Sequence, residues 1–268
     1  MRRSVLGGFL VLAFVCVTVP SALAASGAIT LSASATTIDF GGSVRLTGEI
    51  SPPAGGQAID IVDAAGALLS TATTKAGGDF SASLSPRSNV TLHAVWGNDI
   101  SPDVSIGVRA VVTVHLGSVR LFDQAAVRGT VGPAVAGATV AVTLTRDGKP
   151  VADGSAVMGA AGGFRTTLPI EEPGTYRVRA AFGDPDHLRG TATDGPASTP
   201  LPSLENGSSG IFVLLLERRL VELHYRLVDI DRRYDFRTAD AVLAFRKVQR
   251  MLRVSTVDAG VWRALAHP

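Results

Sequence analysis

The pattern between residues 27 and 197 occurs twice, and this internal repeat is the sequence feature that most constrains the fold. In each copy, a Gly-containing segment precedes a strand. A double glycine follows, with a phenylalanine one or two positions after it, and the copy closes with an aromatic-Gly-polar sequence. The two closing segments are Ala94-Val95-Trp96-Gly97-Asn98 and Ala180-Ala181-Phe182-Gly183-Asp184. The offset between copies drifts from about 81 to about 86 residues, as expected when only loop lengths differ. The chain therefore contains one structural unit in two copies.

The strands inside each copy alternate between apolar and polar residues. In the segment from Val44 to Ile50, apolar residues fall on every second position except at Gly48, and the segment from Thr175 to Phe182 is similar. A period of two places one face of a strand against a core and the other in water. Short strands separated by Gly, Pro and Asp turns predict an antiparallel two-sheet sandwich in each copy.

The first residues have the pattern of an export signal. Arg2 and Arg3 precede an apolar run from Val5 to Val19, and Ala22-Leu23-Ala24 supplies the small residues of a cleavage site. The apolar run is short for a bilayer span. We therefore predict a signal peptide over residues 1–24, no stable membrane span after cleavage, and a location outside the cytoplasm, at the cell wall or in the periplasm.

Residue types exclude several classes of chemistry. The one cysteine, Cys16, lies within the predicted signal peptide, so the cleaved chain would have no disulfide, thiolate metal site or cysteine nucleophile. Cleavage would also leave 23 basic residues against 23 acidic ones, a balance that does not suggest nucleic-acid binding. The five histidines are scattered singly. We predict no cofactor, no metal and no catalytic residues.

The period changes to a helical one after residue 207. Val213, Leu216, Leu220 and Leu223 recur at spacings of three and four, which indicates an apolar helix stripe. Further stripes run through Val242, Phe245 and Val248 and through Trp262 and Leu265. Thr238 is the predicted N-cap of the second helix. The sequence therefore predicts three short helices that bury a small shared core.

The landmarks of this region resemble the peptidoglycan-binding-like domain of bacterial cell-wall enzymes. That family typically reads Gly-x-x-Gly, Val-x-x-Leu-Gln-x-x-Leu, Leu-Gly-Tyr, Asp-Gly-x-Phe-Gly-x-x-Thr, Ala-Val-x-x-Phe-Gln and Trp-x-x-Leu. The matching residues here are Gly207, Gly210, Val213, Leu216, Glu217, Leu220, Leu223, His224, Tyr225, Asp231, Tyr234, Thr238, Ala241, Val242, Phe245, Arg246, Trp262 and Leu265. Glu217 and Arg246 replace the two glutamines, His224 the glycine of Leu-Gly-Tyr, and Arg232 and Asp235 the two loop glycines.

The resemblance implies a site for the glycan or the stem peptide of peptidoglycan near the loop before the second helix. On this basis the expected contact residues are Tyr225, Asp231, Arg232, Tyr234 and Arg246. Tyrosine rings can stack on sugar faces, and arginines can pair with carboxylates.

Together these features predict a multidomain, mainly β protein with two β-sandwiches followed by a small three-helix bundle. The order of parts in the sandwiches resembles bacterial immunoglobulin-like repeats of surface proteins, so we expect them to be immunoglobulin-like. The expected boundaries are a signal peptide at residues 1–24, sandwiches at 27–111 and 112–191, a solvated Pro/Gly/Ser-rich linker at 192–206, and the helical domain at 207–268.

Three functions fit this organisation. The first is a non-catalytic wall protein that docks on peptidoglycan through its helical domain. The second is the targeting half of an L,D-transpeptidase, because the arrangement resembles the front half of some actinobacterial enzymes of that family. The third is a surface adhesion or scaffold protein that binds other envelope proteins through its sandwiches.

Overall fold

A computed structural model describes residues 28–268 of the chain. The predicted signal peptide therefore lies outside the described residues. Within them the protein is mainly β, and three helices follow the last strand. No helix between residues 28 and 268 has the length and apolarity needed to cross a membrane.

The first repeat forms ten strands. They are β1 (Ala28–Ile29), β2 (Ser32–Ala33), β3 (Thr37–Asp39), β4 (Val44–Ser51), β5 (Ala58–Asp63), β6 (Leu68–Thr73), β7 (Asp79–Leu84), β8 (Val90–Trp96), β9 (Asp99–Ile100) and β10 (Val104–Arg109).

The second repeat forms seven longer strands, and the helices complete the chain. The strands are β11 (Val111–Leu116), β12 (Asp123–Gly132), β13 (Thr139–Arg146), β14 (Lys149–Val157), β15 (Gly163–Ile170), β16 (Thr175–Asp184) and β17 (His187–Ser198). The helices are α1 (Ile211–Glu222), α2 (Phe236–Val248) and α3 (Ala259–Ala266).

Each repeat buries its core between two facing sheets. In the first repeat, β4 pairs with β1, β2 and β7, and this sheet packs against strands β5, β8 and β10. In the second, the three-stranded sheet β11-β12-β15 packs against β13 and β16. The alternation predicted for β4 is present, since Val44, Leu46 and Ile50 are buried and the residues next to them mostly are not.

The two repeats share one continuous sheet. Its strand order is β14-β13-β16-β17-β10-β8-β5-β6, and the repeats meet where β10 runs parallel to β17. At this seam the backbone N–H of Asn89 donates to the Asp186 carbonyl at 2.7 Å. His187 is buried here, with Nδ1 2.8 Å from Asp184 Oδ1 and Nε2 2.8 Å from the Arg87 carbonyl. The repeats are therefore joined by backbone pairing.

The expectation of a solvated linker at residues 192–206 was wrong for most of its length. Residues up to Ser198 belong to β17, which pairs along β16, and the Thr199 N–H donates to the Gly174 carbonyl. Leu204 is buried against the helices and forms a bridge to Val257. Composition suggested a spacer, but strand pairing satisfies the backbone groups that a spacer would expose to water.

The helices pack on the second repeat as well as on one another. Leu121, in the loop between β11 and β12, is buried in the same apolar cluster as Val213 and Trp262. The Arg219 guanidinium lies 4.9 Å from the ring centroid of the neighbouring Phe122, within the range of a cation–π contact. The Trp262 indole N–H donates to the Pro202 carbonyl at 2.8 Å.

The N-cap of the second helix lies three residues before the predicted one. Asp235 is the cap, since its carboxylate accepts the backbone N–H groups of Arg237 and Thr238. Thr238 instead turns inward, and its hydroxyl donates to Glu217. Either residue type can cap a helix, so composition alone did not choose between them.

Replacing Gly129 with alanine should destabilise the second repeat by about 2 kcal/mol or more, because a Cβ would lie 2.1 Å from the Thr113 carbonyl and 2.4 Å from the Phe164 ring. Gly163→Ala is the control, since its Cβ would meet nothing within 4 Å on the same sheet. Chemical denaturation of the two variants should separate them. Equal midpoints would contradict the close packing of Phe164 on Gly129.

Candidate functional site

The core positions of the helical resemblance form one buried cluster. Val213, Leu216, Leu220, Val242, Phe245, Trp262 and Leu265 are all at most 1% exposed. These residues come from all three helices, so the apolar stripes read from the sequence face one another. The polar positions decide whether this small domain also carries a binding surface.

Glu217 is buried beneath the loop that joins α1 to α2. Its carboxylate accepts the Arg232 N–H at 3.1 Å and the Thr238 hydroxyl at 3.2 Å. Burial raises the pKa of this carboxyl, and the two hydrogen bonds act in the opposite direction. Glu217 therefore holds the loop to α1 from the inside.

Arg232 lies at the exposed end of this loop in a left-handed conformation, with φ of 68°. The related family has a glycine at this position, which adopts positive φ without steric cost. The conformation is kept here by backbone bonds, since the Arg232 carbonyl accepts the Gly210 N–H and the next residues bridge to Ser209. Strained backbone of this kind is concentrated at functional sites, which makes Arg232 a candidate contact residue.

Arg246 is not available as a surface contact, contrary to expectation. It is 2% exposed, and its guanidinium donates to the carbonyls of Thr256 and Leu252 and to Asp258 Oδ2, the last at 2.7 Å. The Asp258 carboxylate also caps α3 through the Val261 N–H. Arg246 therefore ties the segment before α3 to α2.

Tyr234 is also buried, so its expected role in sugar stacking was wrong. It is 1% exposed, and its hydroxyl donates to the Ser255 carbonyl. Burial raises the pKa of this phenol. Tyr225 is half-buried and packs edge to face on Phe245, with 5.7 Å between ring centroids.

Two of the five expected contact residues are fully on the surface. Asp231 is exposed and accepts the Arg233 N–H, and Arg232 is exposed beside it. The candidate surface is therefore this loop, with the half-buried edge of Tyr225 as a third element. At the two glutamine positions of the related pattern, Arg246 forms an ion pair with Asp258 and Glu217 accepts hydrogen bonds from Arg232 and Thr238, which the sequence spacing did not reveal.

A second charged surface was not predicted from the sequence. Arg128 and Arg165 lie directly opposite each other on the outer face of β12 and β15. The sequence contains one signal for this surface. When the two repeats are aligned, Arg128 and Arg165 correspond to the uncharged residues Thr47 and Ser81 of the first copy.

Comparisons with known proteins give no family for this chain. No protein-family model matches it, and no curated protein matches it. Among solved structures, the chain is similar to a tetra-tandem repeat from the extending region of a large adhesion protein, with 21% identity and a TM-score of 0.36. That match covers 68% of this chain and 51% of the other, so the chain spans about half the length of that structure.

Two further solved structures are similar at lower identity. Bovine butyrophilin is 11% identical, with 66% of this chain and 100% of the other covered and a TM-score of 0.39. The D0-D1 domain of intimin is 16% identical, with 65% and 98% covered and a TM-score of 0.27. TM-scores this low define neither a family nor a function for this chain.

The Arg246–Asp258 pair gives a pH-dependent prediction. The hydrogen bond from Arg246, followed by that from the Val261 N–H, lowers the pKa of Asp258. A depressed folded-state pKa contributes stability that is present above the unfolded value, about 3.9 for Asp, and is lost as pH falls through the folded value. Asp258→Asn, which keeps a capping side chain, should therefore lower the melting temperature at pH 7 and lose this effect in acid.

Melting curves of wild type and Asp258→Asn between pH 7 and pH 2 measure this difference. Asp229→Asn is the control, because it removes an exposed pair with Arg237 at 3.0 Å that should contribute little. A pH-independent difference for Asp258→Asn would show that the charge on Asp258 does not stabilise the domain.

Proposed function

We propose that the chain is an exported, non-catalytic cell-wall protein that docks on peptidoglycan through its C-terminal helices. The two β repeats, which we interpret as immunoglobulin-like modules, act as a spacer. The observation that supports this most directly is Arg232, an exposed arginine held at positive φ by Glu217 and by backbone bonds. Non-glycine residues held at positive φ cost free energy and are concentrated at functional sites, which supports a binding role for Arg232.

The chemistry of the loop suits the stem peptide better than the sugar backbone. Arg232 presents a planar guanidinium that can bind a carboxylate through two hydrogen bonds. Asp231 beside it can accept from a peptide amine. The two tyrosines expected to stack on sugars are half-buried or buried, so they offer little surface to a glycan.

Three variants separate charge from loop conformation. Arg232→Gly removes the guanidinium and relieves the positive φ, so it should fold at least as stably as wild type but bind about tenfold more weakly. Arg232→Lys keeps the charge and should bind at an intermediate level, because a lysine cannot form the two-bond contact. Arg253→Ala removes an exposed arginine from the loop between α2 and α3 and should bind like wild type.

The measurement is co-sedimentation of the chain from residue 25 with purified insoluble peptidoglycan, over a range of protein concentrations. Circular dichroism and melting curves establish that each variant is folded. Equal retention of wild type and Arg232→Gly would move the contact away from this loop. Absence of retention for folded wild-type protein would overturn the proposal.

A further inference from the structure

The outer face of the sheet β11-β12-β15 carries a row of basic residues. His115 lies opposite Arg128 across the β11–β12 pair, and Arg128 lies opposite Arg165 across the β12–β15 pair. All three residues are exposed. Adjacent strands are about 4.8 Å apart, so the three side chains emerge as close neighbours.

This row lacks a full set of counter-charges. The His115 ring lies 3.2 Å from Asp194, which accepts the Leu116 N–H as well. Neither Arg128 nor Arg165 forms an ion pair with any residue between 28 and 268. Like charges directly opposite each other destabilise a sheet. The fold therefore tolerates a repulsion that a neutral residue would remove.

The first repeat shows that the fold does not need these charges. Its corresponding row is Ser32, Thr47 and Ser81, with Ser32 opposite Thr47 and Thr47 opposite Ser81. The Ser32 and Thr47 hydroxyls are hydrogen-bonded at 3.1 Å. The same sheet is thus built once with small hydroxyl residues and once with basic ones.

The basic row lines an open groove of about 1180 Å³ that also has an apolar wall. Val157, at the end of β14, is 69% exposed and borders the groove. Gly163 lies on the floor of the groove, and the space above it is empty, since a Cβ there would meet nothing within 4 Å. The groove therefore offers two arginines and an apolar contact to one ligand.

We propose that this groove binds an acidic peptide segment. Each guanidinium can take one carboxylate through two parallel hydrogen bonds. The long arginine side chains, which leave strands about 4.8 Å apart, can reach carboxylates on successive outward residues of an extended peptide, about 6.6 Å apart. The methylene groups of one of these acidic side chains cover Val157. A phosphate polymer would satisfy the arginines but would leave Val157 in water, so the mixed lining favours the peptide. This site is independent of the helical loop.

The test uses the chain from residue 25 and a fluorescein-labelled octapeptide of alternating Glu and Ala, measured by fluorescence anisotropy. Binding should weaken as salt rises, because charge pairs at an open surface are screened. The corresponding Gln-Ala octapeptide should bind at least tenfold more weakly. No measurable binding of the Glu-Ala peptide at low salt would overturn the proposal.

Arg128→Thr/Arg165→Ser gives the second repeat the residues of the first. This variant should bind the Glu-Ala peptide at least tenfold more weakly and should melt at a higher temperature, because the like-charge repulsion is gone. A loss of binding together with a gain in stability cannot come from misfolding. Arg45→Thr removes an exposed arginine from the outer face of the first repeat and should bind like wild type.

Three outcomes would overturn the assignment. Equal binding by wild type and the double variant would place the contact elsewhere. Tighter binding of polyphosphate than of the Glu-Ala peptide would identify a phosphate polymer as the ligand. Unchanged binding by Val157→Asn would show that Val157 does not contact the peptide. Arg232→Gly should leave peptide binding intact, so failure of the wall-docking proposal and failure of this one are distinguishable.

Discussion

The packing of an aromatic ring over a glycine sets the register of the outer sheet in both repeats. In the second repeat Phe164 lies over Gly129, and in the first Phe80 lies over Gly48. No other residue type fits at these glycines, because a Cβ would lie within 2.1 Å of a carbonyl oxygen on the neighbouring strand. A slip by one residue would turn every side chain to the opposite face. The residue before the glycine and the residue after the phenylalanine therefore always point outward and lie side by side. In the second repeat those two residues are arginines.

The helical region depends on the β repeats for part of its core. Leu121 comes from a loop of the second repeat, yet it is buried among helical residues, and Phe122 next to it contacts both Arg219 and Trp262. A three-helix domain of this size has little apolar area of its own to bury. The second β repeat supplies additional apolar area through Leu121 and Phe122. The segment that leads to the helices is held by hydrogen bonds at Leu204 and Pro202. The helical region is consequently packed on the second repeat, which is itself paired with the first.

Much of the fold could be predicted because periodicity reports burial. The alternation from Val44 to Ile50 and the helical spacing of Val213, Leu216 and Leu220 correctly identified the buried faces. Charged residues were harder to place. Arg246 was expected to contact a ligand, and no location was predicted for Glu217. Both are buried where backbone carbonyls, a hydroxyl or an opposite charge satisfy them. Such partners come from distant segments, which single-sequence patterns do not reveal. The seam between the repeats was missed for the same reason, because pairing between β10 and β17 joins segments about 80 residues apart.

The absence of a loose tether has a consequence for how the two candidate surfaces act together. Two binding sites on a flexible linker sample many separations, and their joint affinity depends on linker length. Here β17 extends from the seam to Ser198, and the segment after it is held against Gly174 and Val257. The loop at Arg232 and the groove at Arg128 are thus held at one separation. A surface that presents both ligands at that separation would be bound with high avidity, and one that presents them at another would engage a single site. The protein would then discriminate between targets by the distance between the two ligands as well as by their chemistry.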